Sequence, residues 1–168
     1  MFIEIEKKRT EFSFGKTTLW FRFDNRAFLN IEKSGLCPFD TRDILNNAAA
    51  ARAFISEGLR TCLETLGADE RKDEIINALM SDGNESITAP IQRAVLEAIP
   101  TAGAVETEQN GGAEGNAGTL LSVYCDLMHR PEEEFWTSTL REVTERWERY
   151  AVLKGYKKAP IQIRRYDD

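Results

Sequence analysis

Large apolar side chains alternate with smaller or polar ones over residues 12–14 and 19–23, on either side of the pair Gly15-Lys16. Alternation is the period of a strand with one buried face, and a glycine between two such runs favours a tight turn. The pattern predicts a β-hairpin at the start of the chain. Its buried face is expected to hold Phe12, Phe14, Leu19, Phe21 and Phe23.

After the hairpin the apolar positions change to helical spacing. Asp24 or Asn25 is expected to cap a short helix that ends near Gly35, because acidic and amide side chains accept from exposed backbone N–H groups and glycine suits a left-handed terminus. A longer helix is predicted from Asp40 to Leu66, with Gly67 as its terminator.

Further helices are expected up to residue 100. Gly58 predicts a bend or a close contact within the long helix. The next helix is predicted to open at Asp69 and stop at Asp82. Another is expected to begin near Thr88, because Pro90 is best tolerated in the first turn of a helix.

Residues 101–118 contain five Gly, four Ala and one Val as the only sizeable apolar side chain. This composition predicts a flexible linker, since it buries too little apolar surface to stay ordered. The sequence therefore indicates an α+β, mainly helical protein in three parts. These are a hairpin followed by a helical bundle at 1–100, the linker, and a small helical segment with an extended tail at 119–168.

The C-terminal segment carries a stripe of large apolar residues that steps by 4, 3, 4 and 3. Burying five such side chains is worth on the order of 10 kcal/mol in total, yet about 50 residues seldom build a core of their own. Either this segment docks on the first part of the chain or a partner completes it. The stripe consists of Trp136, Leu140, Val143, Trp147 and Tyr150.

Thr139 and Glu142 have the spacing of a capping box, which predicts that the main C-terminal helix begins at Leu140. Two acid-before-base pairs at i, i+4 are expected on its outer face: Glu142 with Arg146, and Glu145 with Arg149.

Composition and charge narrow the function classes. The 168 residues are 42% apolar and 30% charged, with a net charge of −6, which disfavours nucleic acid as a partner because phosphate neutralisation needs a basic surface. The chain has no apolar run of membrane-spanning length and no secretory signal at Met1. We expect a soluble intracellular protein without membrane contact.

Candidate chemistry is sparse. The three cysteines, Cys37, Cys62 and Cys125, lack metal-ligand spacing and are interpreted as small buried residues. His129 is the only histidine, which excludes a two-histidine metal site. A Cys125/His129 pair on one helix would lack an orienting third group. The Gly-Lys-Thr run at 15–17 is expected in a turn, because a strand follows it rather than a helix. No catalytic residue, cofactor or metal is therefore predicted.

Three stretches together resemble the tail assembly chaperones of long-tailed bacteriophages: LWFRFDNRAFLNIEKSG at 19–35, RAFISEGL at 52–59 and EEFWTSTLREV at 133–143. Leu140 stands where many relatives have proline. The resemblance implies a non-enzymatic factor of the host bacterial cytoplasm that binds the tape measure protein and helps recruit tail tube subunits. It also implies absence from the mature virion.

The stripe is the first candidate for partner contacts, because exposed aromatic surfaces mark partner sites. Trp20, on the hairpin face opposite Leu19 and Phe21, is the second. Three alternative functions stay open: a head or tail connector subunit retained in the virion, a cellular helical adaptor, and an enzyme that uses His129 or Cys125. Self-association of the chain is also left open.

Overall fold

The computed structural model describes residues 8–82, 84–100 and 117–156. Within these ranges the chain forms two strands and seven α-helices, which confirms the predicted α+β, mainly helical class. Most of the predicted linker and the extended tail lie outside the described residues. The elements are β1 (Thr10–Phe14), β2 (Thr17–Phe21), α1 (Asn25–Lys33), α2 (Ala48–Leu66), α3 (Lys72–Ser81), α4 (Asn84–Ala98), α5 (Ala117–Ser122), α6 (Glu132–Trp136) and α7 (Leu140–Leu153). Short 3₁₀ turns lie at Arg42–Leu45 and Asp69–Arg71, and a π-helical turn lies at Val123–Leu127.

The predicted hairpin is confirmed. β1 and β2 pair antiparallel, with Thr10 opposite Phe21 and Phe14 opposite Thr17. Gly15 has φ +58°, a left-handed conformation that glycine adopts without steric cost. Phe21 is fully buried and its ring stacks on Phe12 with centroids 4.6 Å apart. The hairpin thus covers one side of the main core.

Helix α1 begins as predicted. The Asp24 side chain accepts from the Ala27 backbone N–H at 2.9 Å, and Gly35 has φ +81° just beyond the helix end. Asp24 is fully buried and also accepts from Nη2 of Arg60, on α2, at 2.6 and 2.7 Å. One carboxylate therefore caps α1 and joins it to α2.

The predicted starts of α2 and α4 are wrong. Asn47, not Asp40, caps α2, and the Asp40 carboxylate instead accepts from the Arg42 backbone N–H in a local turn. Helix α4 begins four residues before Thr88 and continues through Pro90. Ile87 and Ile91, on either side of Pro90, are buried, so core packing offsets the loss of the backbone hydrogen bond that proline cannot make.

Helix α2 approaches the end of β2 closely at Gly58. A Cβ at this position would lie 2.7 Å from Cζ of Phe23 and 2.8 Å from Cδ1 of Phe21. The Arg22 backbone N–H donates to the Gly58 carbonyl at 2.9 Å. The close contact expected at Gly58 is therefore confirmed, and it is made with the rings at the end of the hairpin.

Helix α7 begins at Leu140 with the predicted capping box, in which Thr139 and Glu142 bond reciprocally. The Glu145/Arg149 pair is also present, at 3.7 Å. The Glu142/Arg146 pair was wrong: Glu142 binds Arg22, and Arg146 binds Glu134. Each side chain pairs with a residue on another element, the buried Arg22 for Glu142 and the half-buried Glu134 for Arg146, rather than with the other along the helix.

Replacing Gly58 by alanine is expected to lower the free energy of unfolding by about 1–3 kcal/mol, because the new methyl group meets two buried rings. Urea unfolding followed by circular dichroism measures this. Ser56→Ala on the same helix is the control, since it gains helix propensity without entering the contact. A stability for Gly58→Ala equal to or above that of the wild type would contradict the expectation.

Candidate functional site

An open cleft of about 540 Å³ separates helix α1 from the C-terminal segment. Helix α1 supplies four residues at i, i+3, i+4 and i+7, the spacing of a single helical face. The facing wall comes from α5, α6 and the start of α7, and the loop after α1 closes one end. The lining residues are Asn25, Phe28, Leu29, Glu32, Leu36, Cys37, Pro38, Phe39, Leu120, Phe135, Trp136 and Leu140.

The loop wall of the cleft carries an exposed aromatic ring. Phe39 is 52% exposed, and its ring centroid lies 5.2 Å from that of Phe28, which is buried. Next in the chain, the Asp40 carboxylate accepts two hydrogen bonds from the Arg42 guanidinium, at 2.5 and 2.8 Å. These bonds lower the pKa of Asp40 to about 2, so the ion pair persists to more acidic pH than an isolated aspartate would allow.

A buried arginine joins the hairpin to the C-terminal segment. The side chain of Arg22, at the end of β2, is 4% exposed and donates from Nη2 to both carboxylate oxygens of Glu142, at 2.9 and 3.2 Å. It also donates to the backbone carbonyls of Lys8 and Thr137, at 2.9 and 3.1 Å. Glu142 at the same time completes the α7 capping box. The start of α7 is therefore bonded directly to the hairpin.

Further hydrogen bonds join the segments on both sides of Arg22. The backbone N–H of Asn25 donates to the carbonyl of Ser138, and its side-chain Nδ2 donates to the carbonyl of Phe135, both at 2.9 Å. Arg141 donates to the carbonyls of Leu96 and Ile99 at the end of α4. The C-terminal segment thus docks on the first part of the chain, one of the two arrangements that its apolar stripe implied.

A second polar cluster supports the C-terminal wall. Nη1 of Arg146 donates to Glu134 Oε1 at 2.8 Å, to the Ser138 hydroxyl at 3.2 Å, and to the Tyr124 hydroxyl. Tyr124 is fully buried against Phe135, and this burial raises the pKa of its hydroxyl. Arg146 therefore satisfies the polar end of a side chain that is otherwise packed in an apolar cluster.

The predicted apolar stripe divides into three environments. Trp136, on α6, and Leu140, at the start of α7, line the cleft. Val143 is buried in the cluster with Tyr124 and Phe135, so it offers no surface to a partner. Residues 137–139 separate Trp136, on α6, from the other four residues of the stripe, which all lie on α7.

Trp147 and Tyr150 lie apart from the cleft lining. Their rings stack with centroids 6.0 Å apart, and Tyr156 lies 6.5 Å from Trp147. The Tyr150 hydroxyl donates to the Leu127 carbonyl at 2.9 Å, which ties the end of α7 to the π-helical turn. The structure therefore gives Tyr150 a role within the chain and leaves both rings partly exposed.

Trp20, the second partner candidate, is partly buried against the main core. The guanidinium of Arg9 lies 4.3 Å from the centre of its ring, a cation–π arrangement. The indole remains partly exposed beside Arg9, and Trp20 does not line the cleft.

Sequence reasoning missed the α1 wall and the loop wall as parts of a site. The i, i+3, i+4, i+7 spacing of the α1 wall is visible in the sequence, but two of its four residues are polar and no partner surface was predicted there. Leu36 and Phe39 lie in a loop, where apolar residues follow no regular spacing that could mark them. A loop residue lines a cleft only because of the elements that pack beside it.

The remaining candidates for chemistry are dispersed. All three cysteines were expected to be buried, but only Cys62 is. Cys37 is exposed and Cys125 is half-buried. Burial raises the pKa of Cys125, helped by the charges of Glu132 and Asp126, which opposes a thiolate nucleophile beside the exposed His129. Among the described residues, His, Cys, Asp and Glu form no group of three or more that could hold a metal.

None of the described helices combines the length and the apolar character needed to cross a bilayer. Comparisons with protein-family models, with curated proteins and with solved structures found no match to this chain.

Replacing Arg22 by methionine is expected to lower the free energy of unfolding by about 3 kcal/mol, because it leaves a partly buried carboxylate and two carbonyls without their donor. A double-mutant cycle with Glu142→Gln in urea isolates the coupling. The matched control cycle is Arg52→Met with Asp73→Asn, an exposed pair worth at most about 1 kcal/mol. Equal coupling in the two cycles would contradict the assigned role of Arg22.

Cys37 is expected to react with a maleimide before Cys125, and Cys62 only after unfolding, because Cys37 is exposed and burial raises the pKa of the Cys62 and Cys125 thiols. Mass spectrometry of peptides from a timed reaction measures the order. If Cys62 were modified as fast as Cys37 in the folded protein, Cys62 would not be buried on α2 as described here.

Proposed function

We propose that the protein is a non-enzymatic assembly chaperone of a long-tailed bacteriophage, which binds the tape measure protein in the host cytoplasm, helps recruit tail tube subunits and leaves before the virion matures. The observation that best supports this proposal is the open, mainly apolar cleft between α1 and the C-terminal segment. This cleft contains Trp136 and Leu140 of the predicted stripe.

The shape of the cleft suits a helical client. A groove walled by helices on two sides accepts the apolar face of an amphipathic helix, whose anchors recur at i, i+3, i+4 and i+7. The exposed ring of Phe39 supplies a rigid aromatic anchor at the rim.

The charge of the chain suits a carrier of apolar segments. A net charge of −6 at neutral pH opposes self-aggregation of a protein that leaves an apolar groove open. Docking of the client removes that groove from water, which is the favourable term in most protein association.

Phe39→Ala is expected to weaken binding to a tape measure fragment about tenfold or more, because an exposed aromatic anchor is lost while the fold stays intact. Leu66→Ala is the matched control, since Leu66 is 49% exposed and lies outside the cleft lining. Isothermal titration calorimetry on both variants, with circular dichroism for their folding, measures the difference. Equal affinities for the two variants would refute the cleft as the client site.

The connector alternative predicts a different location. Mass spectrometry of purified virions is expected to lack this chain if it acts as a chaperone and to contain it in stoichiometric amounts if it is a retained structural subunit. Its presence in intact virions would overturn the proposal even if the cleft binds the tape measure fragment.

A further inference from the structure

The free polar side-chain atoms of the cleft are hydrogen-bond acceptors. Glu32 is the charged member of the lining, and in the part of the chain that the structure describes its carboxylate has no ion-pair or hydrogen-bond partner. The indole N–H of Trp136 is already donated to Glu132 Oε1 at 2.9 Å. The cleft therefore presents unused negative charge beside an apolar surface.

Asn25 supplies a second free acceptor. The residue lines the cleft and is 5% exposed, and its Oδ1 has no hydrogen-bond partner. The orientation of the amide is set by the bond from Nδ2 to the Phe135 carbonyl at 2.9 Å. The atom has less than 1 Å² of accessible surface, so it is unpaired inside the wall and an occupant of the cleft reaches it only if the lining shifts.

The nearby cations are already paired or lie off the lining face. Arg26 donates to both oxygens of Glu133, and Arg42 donates to Asp40. Lys33 follows Glu32 in α1 but is not among the lining residues, because consecutive helical residues point about 100° apart. The charge at the cleft edge is thus left for a group from outside.

We infer that the cleft selects an amphipathic helix with a lysine or arginine at the edge of its apolar face, placed opposite Glu32. This inference rests on the proposed function and names the chemistry of the client segment. Glu32 is an exposed lining residue of α1, so a client helix lying along α1 places its cation at that position of the cleft edge.

The probes are two synthetic helical peptides with the same leucine face. One carries lysine and the other glutamate at the edge position. Cys37 lines the cleft and is exposed, so its alkylation rate in the full-length protein reports occupancy, alongside titration calorimetry. Glu32→Gln tests the loss of charge and Glu32→Lys its reversal. Glu70→Gln, an exposed carboxylate outside the cleft, is the control.

The lysine peptide is expected to bind about two- to fivefold more tightly than the glutamate peptide, to slow Cys37 alkylation, and to lose its advantage in Glu32→Gln or at about 1 M salt. Glu32→Lys is expected to reverse the preference, while Glu70→Gln leaves it unchanged. Equal binding of both peptides with protection of Cys37 would overturn the charge preference and leave the client site standing.

Other outcomes reach further. Protection of Cys37 by neither peptide would overturn this inference together with the helix-binding cleft on which it rests. Concentration-dependent protection of Cys37 without any peptide, with dimers in analytical ultracentrifugation, would show that a second copy of the chain occupies the cleft and would also overturn it.

Discussion

The buried guanidinium of Arg22 bonds to Glu142, which lies 120 residues further along the chain. A charge that is 4% exposed is tolerated only when it is fully paired, and here one carboxylate and two backbone carbonyls accept from it. These partners come from two stretches of chain, one just before the hairpin and one around the start of α7. The C-terminal wall of the cleft is therefore fixed to the hairpin by an interaction outside the cleft lining.

Two helix caps in this protein also serve as connections between elements. Asp24 caps α1 and receives Arg60 from α2, and Glu142 caps α7 and receives Arg22. Because one carboxylate satisfies both the local N–H groups and a distant cation, helix formation and docking stabilise each other. Losing the cation would leave the helix start with a carboxylate that is both poorly solvated and unpaired.

The proposed function depends on this docking. The cleft exists only while the C-terminal segment lies against α1, since Trp136 and Leu140 form one wall and Phe28 and Leu29 the other. A client that binds both walls favours the docked arrangement by linkage, because it has affinity for that arrangement alone. Under this proposal, the unpaired carboxylate of Glu32 favours apolar helices that carry a cation at the edge of the apolar face.

Elements whose causes lie within a few residues could be predicted from the sequence: the hairpin and its turn at Gly15, the Asp24 cap, and the Thr139/Glu142 box. Each is decided by local hydrogen bonds or backbone freedom. The predicted start of α4 was wrong because Ile87 and Ile91 are buried against core residues that are distant in the sequence. Likewise, only tertiary packing decided that Trp136 and Leu140 line a cleft while Val143 is covered, because exposure is set by what lies alongside a residue and not by its spacing.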